Sequence, residues 1–259
     1  MSNPIEITFG FLFGLFIGSF LNVCICRIPE GASIVRPPSN CPCCKTPIRF
    51  YDNIPVLSYL LLLGKCRSCE ARISIRYPMV EILTGIFAGL CVLKFGLTPA
   101  AVITFVFIAS LIVVTFIDID HRIIPDVISL PGIGVFFAAS FILPGISPVD
   151  SIIGILAGGG SLFLVAWGYY LITGKEGMGG GDIKLLAMIG AVVGWQGIIL
   201  TIFAASLTGT IIGMTMMLIS GKNMKLAVPF GPFLALGAVI HVFYGPELIQ
   251  WYLYGIRPF

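Results

Sequence analysis

The feature that most constrains this chain is a succession of long apolar runs, broken by short turns and by one polar segment. Eight runs are readable, at about residues 5–25, 79–96, 99–117, 125–143, 150–173, 183–195, 197–219 and 230–254. Hydrocarbon about 30 Å thick is crossed by roughly 20 apolar helical residues. The bilayer offers no water to the backbone, so a spanning segment must satisfy its own N–H and C=O groups. Charge is scarce to match: 10% of residues, with 58% hydrophobic, where a soluble domain carries about 25% charged residues. The chain therefore reads as an α-helical polytopic membrane protein with about eight transmembrane helices. The sixth run is short, and a tilt or a tight turn at 195–197 into the seventh accounts for it. Gly245-Pro246 is expected to kink or end the eighth. Met1–Gly10 carries Glu6 and no basic residue, so the first run is expected to stay as a span rather than leave as a signal peptide.

Alternation of the spans fixes their sides. The polar segment 26–78 and the turns near 118–124, 174–182 and 220–229 share one side. Of the 15 Lys and Arg, only Lys94 and Arg257 fall on the other; Lys222 and Lys225 count toward the basic side. The positive-inside rule makes that side the cytoplasm, with both termini outside. The expected organisation is a first transmembrane helix at 1–25, a cytoplasmic segment at 26–78 and a transmembrane domain at 79–259.

Cys41-Pro42-Cys43-Cys44 is followed by Cys66-Arg67-Ser68-Cys69. Two Cys-x-x-Cys pairs at this separation resemble a zinc ribbon or knuckle, in which each turn presents two sulfurs to one point. The expected ligands are Cys41, Cys44, Cys66 and Cys69, with Cys43 able to stand in for Cys44. A segment of this length buries little core, so a metal staple is the expected solution. Four sulfurs leave no open position, which points to structural rather than catalytic zinc. A redox role without metal is the other reading. Between the pairs, Leu57–Leu63 is apolar but too short to cross; a small core helix and a piece lying against the membrane fit equally.

Gly177-Met178-Gly179-Gly180-Gly181-Asp182 lies between two apolar runs. Glycine at this density permits close backbone approach or positive φ, and a carboxylate at a membrane boundary is costly and points to function. The plain alternative is a flexible loop ending in an N-cap Asp. Phe116-Ile117-Asp118-Ile119-Asp120-His121-Arg122 closes the third run, and Asp118 is its deepest carboxylate. That run heads toward the cytoplasm and the sixth starts from it, so Asp118 and Asp182 fall at one depth. Two facing aspartates share a proton: one activates water and the other, protonated, polarises a carbonyl. Two independent helix-end aspartates remain the competing reading. Gly179, Gly181 and Lys184 are expected to belong to the site, the glycines as room for a substrate strand and Lys184 as a bias on which carboxylate ionises. Glu81 and Asp120 are secondary candidates; Asp126, after Pro125, is most simply an N-cap.

In their order along the chain, these residues resemble the type IV prepilin peptidases, or leader peptidase/N-methyltransferases. The resemblance rests on Gly18-Ser19-Phe20-Leu21-Asn22-Val23 with Arg27 and Pro29, the two cysteine pairs, Asp52-Asn53-Ile54-Pro55, Ser58-Tyr59-Leu60, Gly64-Lys65-Cys66, and Arg76-Tyr77-Pro78 with Glu81. It continues through Asp118-Ile119-Asp120-His121 with Pro125-Asp126, Thr173–Gly179 leading to Gly181-Asp182, and Pro229-Phe230-Gly231-Pro232. Cys43 is the one departure. The resemblance implies an intramembrane aspartyl protease of the Gly-x-Gly-Asp kind, with Asp118 and Asp182 catalytic. It implies cleavage of the basic leader from type IV prepilins or pseudopilins at the cytoplasmic face of the bacterial inner membrane, with Glu176, Asp120 or Asp126 attracting that leader. It further implies N-methylation of the new N-terminal residue, often Phe, with S-adenosylmethionine as donor, and it links Gly64 and Lys65 to that second activity. A proton-coupled transporter and a zinc-bearing assembly scaffold are the alternatives from other classes. Nothing in the residues points to nucleic acid or fixes an oligomeric state.

Overall fold

A computed structural model describes residues 3–175, 177–220 and 228–255. Glu176, Lys222, Lys225 and Arg257, used above for leader attraction and for sidedness, lie outside the described residues. Among those described the regular structure is helical: α1 Pro4–Arg27, a 3₁₀ turn Phe50–Asn53, α2 Leu57–Leu61, α3 Arg76–Phe95, α4 Pro99–His121, α5 Asp126–Ala139, α6 Pro148–Thr173, α7 Gly180–Ser220 and α8 Gly231–Tyr254. All but α2 and α5 of these helices are long and apolar enough to cross a membrane. The 41-residue α7 is broken at Gly194, whose φ of 66° and ψ of −177° lie where only glycine is at ease. The sixth and seventh predicted runs are thus the two arms of α7, and the fourth is the short α5. Every predicted apolar run is helical. One detail differs from expectation: α4 continues past 117 to His121, which places Asp118 and Asp120 inside the helix. Pro246 does not end α8, which runs to Tyr254, the bound expected for the eighth run.

The chain forms two compact units, Met1–Val113 and Val114–Phe259, divided within α4. In the first, α1 packs on α3 through Gly10, Gly14 and Gly18, one turn apart. A Cβ on Gly14 would lie 2.6 Å from Ala88 Cβ, and one on Gly18 2.6 Å from Glu81 Cα. Small residues let helices approach where lipid removes the hydrophobic drive to associate. Buried Asn22 donates from Nδ2 to the Tyr77 carbonyl at 3.1 Å. The loop between them is held to α3 by Glu81, whose buried carboxylate accepts the Val56 N–H at 2.7 Å. Leu60, Leu61 and Leu63 around α2 are exposed, so α2 is not a core helix.

In the second unit α7 packs on α5, α6 and α8. Gly154 of α6 meets the Gly190 carbonyl of α7, and the Ser151 hydroxyl donates to the Ala191 carbonyl at 2.8 Å. The first arm of α7 buries Leu185, Leu186, Met188 and Ile189, and α8 adds Leu234. A side chain forced into such a contact costs about 1–3 kcal/mol by overpacking. This packing fixes the start of α7, where Asp182 stands.

Candidate active site and cysteine centre

The second unit contains a cavity of about 710 Å³. It is lined by Asp118 and Arg122 from the end of α4, Asp126 at the start of α5, the glycine loop with Asp182, and residues 228–230 leading into α8. Asp118 and Asp182, 64 positions apart in the chain, therefore line one cavity. Asp118 is buried, and its Oδ2 accepts the Gly231 N–H at 2.9 Å. Asp182 is half-buried and lies inside the first turn of α7, not at its cap. Its N–H donates to the Gly179 carbonyl at 3.3 Å.

The glycines differ among themselves. A Cβ on Gly181 would come 2.9 Å from Ile124 Cβ, whereas one on Gly180 would meet nothing. Gly181 therefore serves contact within the protein, and the free space lies at Gly179 and Gly180. Asp126 is not an N-cap: Pro125 holds that position without a side-chain bond, and Asp126 is the first helical residue. Both its carboxylate oxygens accept from Lys184 Nζ at 2.8 Å. Lys184 is thus paired with Asp126, across from α7 to α5, rather than acting on Asp182. Asp120 and His121 are exposed and do not line the cavity.

The first unit carries the cysteine centre. Cys41, Cys44, Cys66 and Cys69 place their Sγ atoms within 4.8 Å of one another, while Cys43 is exposed and outside the group. Each pair sits in the same turn. Cys41 N–H donates to the Thr46 carbonyl and Lys45 N–H to the Cys41 carbonyl; Cys66 N–H donates to Ala71 and Glu70 N–H to Cys66, all at 2.8–3.0 Å. Lys45 and Glu70, at matching places, have φ of 58° and 56°. Short antiparallel bridges, Asn40 with Pro47 and Lys65 with Arg72, close the two turns. Zinc–sulfur bonds of about 2.3 Å in a tetrahedron put sulfurs about 3.8 Å apart, and Cys41 and Cys69 Sγ are 3.8 Å apart. The donor set fits a metal that prefers four thiolates. The Thr46 hydroxyl and backbone hold the Cys44 thiol down at about 6, and the Cys69 and Ser68 N–H groups lower Cys66. For Cys69 the Ala71 N–H pulls downward, but burial and the three other thiols outweigh it and push that thiol up to about 12. Such crowding of thiols is relieved when a cation takes the place of the protons.

Gly64 and Lys65 lie at the entry to the second cysteine turn. Gly64 has φ of 69°, and a Cβ there would meet the Tyr59 ring at 3.0 Å; Lys65 is exposed. Glu81 belongs to the first unit and is engaged by Val56. The Gly231 amide and Arg122 escaped the sequence reading. The run Pro229-Phe230-Gly231-Pro232 was the available signal, but it gave no role.

The fold and the two centres define a multi-pass membrane protein with a paired-aspartate cavity and a four-cysteine cluster. Residues 12–95 match the bacterial peptidase A24 N-terminal domain, and residues 105–214 match the type IV leader peptidase family. A prepilin leader peptidase/N-methyltransferase of Aeromonas salmonicida is 39% identical over 94% of this chain and 92% of its own. Proteins of the same name from Pseudomonas aeruginosa, 38% identical over 93% and 91%, and Neisseria gonorrhoeae, 37% identical over 92% and 90%, match as fully. No solved structure matches the chain. The chain belongs to the type IV leader peptidase family.

Proposed function

We propose that this chain is a bifunctional membrane enzyme that cuts the leader from type IV prepilins or pseudopilins and N-methylates the new terminus. The observation that carries the peptidase reading is the convergence of Asp118 and Asp182 on one cavity. One carboxylate takes a proton from water as the water attacks the scissile carbonyl; the other, protonated, donates to the carbonyl oxygen. Open space at Gly179 and Gly180 admits an extended substrate backbone. The basic residues gathered on the same side support a cavity at the cytoplasmic face of the inner membrane. Exposed Asp120 and the Asp126–Lys184 pair meet the basic leader there.

Residues 26–78 form the methyltransferase segment, with Cys41, Cys44, Cys66 and Cys69 holding a structural zinc and 79–259 serving as the peptidase domain. The zinc, when bound, crosslinks the two turns and does no chemistry on the substrate. S-adenosylmethionine is a substrate that gives its methyl group to the amine freed by cleavage, and Gly64 and Lys65 support that step. A transporter would need carboxylates along its path; these two lie together at the end of α4 and the start of α7. The test is incubation of the purified protein with a prepilin, with and without S-adenosylmethionine, followed by mass measurement. The expected products are the shortened pilin without donor and the same chain 14 Da heavier with it, the mass of one methylene. Cleavage that survives loss of both aspartates would sink the peptidase reading; a product left unmethylated by the donor would sink the second activity.

A further inference from the structure

The two aspartates are not equivalent, and the difference comes from the start of α8. Gly231 N–H donates to Asp118 Oδ2 at 2.9 Å in a buried position. It is the first helical residue after Phe230. Amides at a helix N-terminus lack partners within the helix and carry the positive end of its dipole. In this first turn the other donors are removed. Pro232 has no N–H, and the Phe233 and Leu234 N–H groups turn back onto the Phe230 carbonyl at 3.1 and 3.2 Å. One amide is left, and it points at Asp118. A Cβ on Gly231 would come 2.7 Å from Asp118 Oδ2, so the approach requires glycine. The other charged groups lining the cavity are Asp182 from α7, Arg122 from the end of α4, and Asp126 from α5. Asp126 is taken by Lys184, and residues 228–230 present none.

We propose that the Gly231 amide is a positioning group that keeps Asp118 as the carboxylate anion, making Asp118 the general base and Asp182 the bearer of the shared proton. The proposal rests on the peptidase reading of the same cavity. In the forward step Asp118 takes a proton from water as the water oxygen bonds to the carbonyl carbon, and Asp182 gives its proton to the carbonyl oxygen. In the second step the C–N bond breaks, Asp118 returns its proton to the leaving nitrogen, and Asp182 recovers one from the diol. An N–H donor favours the charged form of its acceptor, so it suits the group that begins the cycle ionised.

The test uses the purified full chain and a prepilin. Replacing the Gly231 peptide link by a backbone ester removes the N–H while keeping the side chains, at the cost of a weaker Phe230 carbonyl acceptor; Gly231→Ala displaces the N–H by contact and leaves that carbonyl an amide. For each, kcat is expected to fall about 10- to 100-fold, the worth of a hydrogen bond to a charged group. KM should stay within about twofold, and the acid side of the kcat/KM profile should retreat upward by about one pH unit. Loss of kcat with an unmoved pH profile, or full activity of the ester, would overturn the assignment. If the ester chain does not accumulate, the Gly231→Ala profile decides alone. Near-normal cleavage by Asp118→Asn and Asp182→Asn would overturn the peptidase reading itself, and this inference with it.

Discussion

The cysteine cluster and the aspartate cavity solve the same electrostatic problem by opposite routes. Each gathers groups that repel when charged. The cluster does so locally: two turns of near-identical hydrogen bonding each deliver a pair of sulfurs, and a cation is the natural counterweight. The cavity does so at long range: α4, α5, the glycine loop and the approach to α8 each deliver one part, and in the mechanism proposed for it a shared proton and one backbone amide are the counterweights. A site made of local turns stands or falls with its own segment. A site made of distant helix ends depends on the packing of the whole unit.

The comparison can be broken at several places. The largest effect is expected for Asp118→Asn or Asp182→Asn, which should cut the cleavage rate by about 10²–10⁴ and leave bound metal per chain unchanged. A fall in both would mean that the two centres are not separable. Next, Cys41→Ser or Cys66→Ser should release the metal and abolish methylation, while cleavage holds within about threefold, since a structural metal acts through its own segment. Cleavage lost along with methylation would show that the local segment holds the distant site. A smaller effect is expected at the pair joining α5 to α7. Exposed by 37% at Lys184 and 56% at Asp126, it contributes below about 1 kcal/mol. Lys184→Gln should slow cleavage by roughly fivefold or less, and the exchange Asp126→Lys with Lys184→Asp should recover most of it. No recovery would assign the lysine to substrate rather than to α5.

The smallest effect is one of pH. Arg67 donates three hydrogen bonds to Asp52 and keeps its carboxyl below the usual carboxylate range. A group depressed in the folded chain stabilises above its unfolded value, about 3.9 for Asp. That contribution is lost as pH falls through the depressed folded value. The difference in Tm between the wild type and Asp52→Asn should therefore be present at neutral pH and shrink as the solution is made acid enough to protonate Asp52 in the folded chain. A difference that persists there would mean that Asp52 acts by packing.

The contrast between the centres also explains what could be read in the sequence. Spacing carried the cysteine cluster, because each turn is closed by bonds within six residues; spacing left Cys43 open as a stand-in for Cys44, and only the structure sets it exposed outside the group. The spans were legible as apolar runs, and alternation alone brought Asp118 toward Asp182. Alternation says nothing about which neighbour a side chain takes. Asp126 looked like a cap and is instead the partner of Lys184, and Gly181 looked like room for substrate and instead receives Ile124. The Gly231 amide was illegible because a backbone donor leaves no mark in residue chemistry; only the surrounding prolines hinted that the turn was special.

The break at Gly194 has a consequence for the lipid. At about 1.5 Å per residue, the 14 residues of α5 and the arm of α7 ahead of Gly194 each reach only about 21 Å. Hydrocarbon is about 30 Å thick. The two pack together, and both begin at the cavity that holds the carboxylates. A bilayer meeting two adjacent rods that are too short thins toward them. Such thinning would bring bulk water, the second reactant of hydrolysis, toward the end of the pair where Asp118 and Asp182 line the cavity.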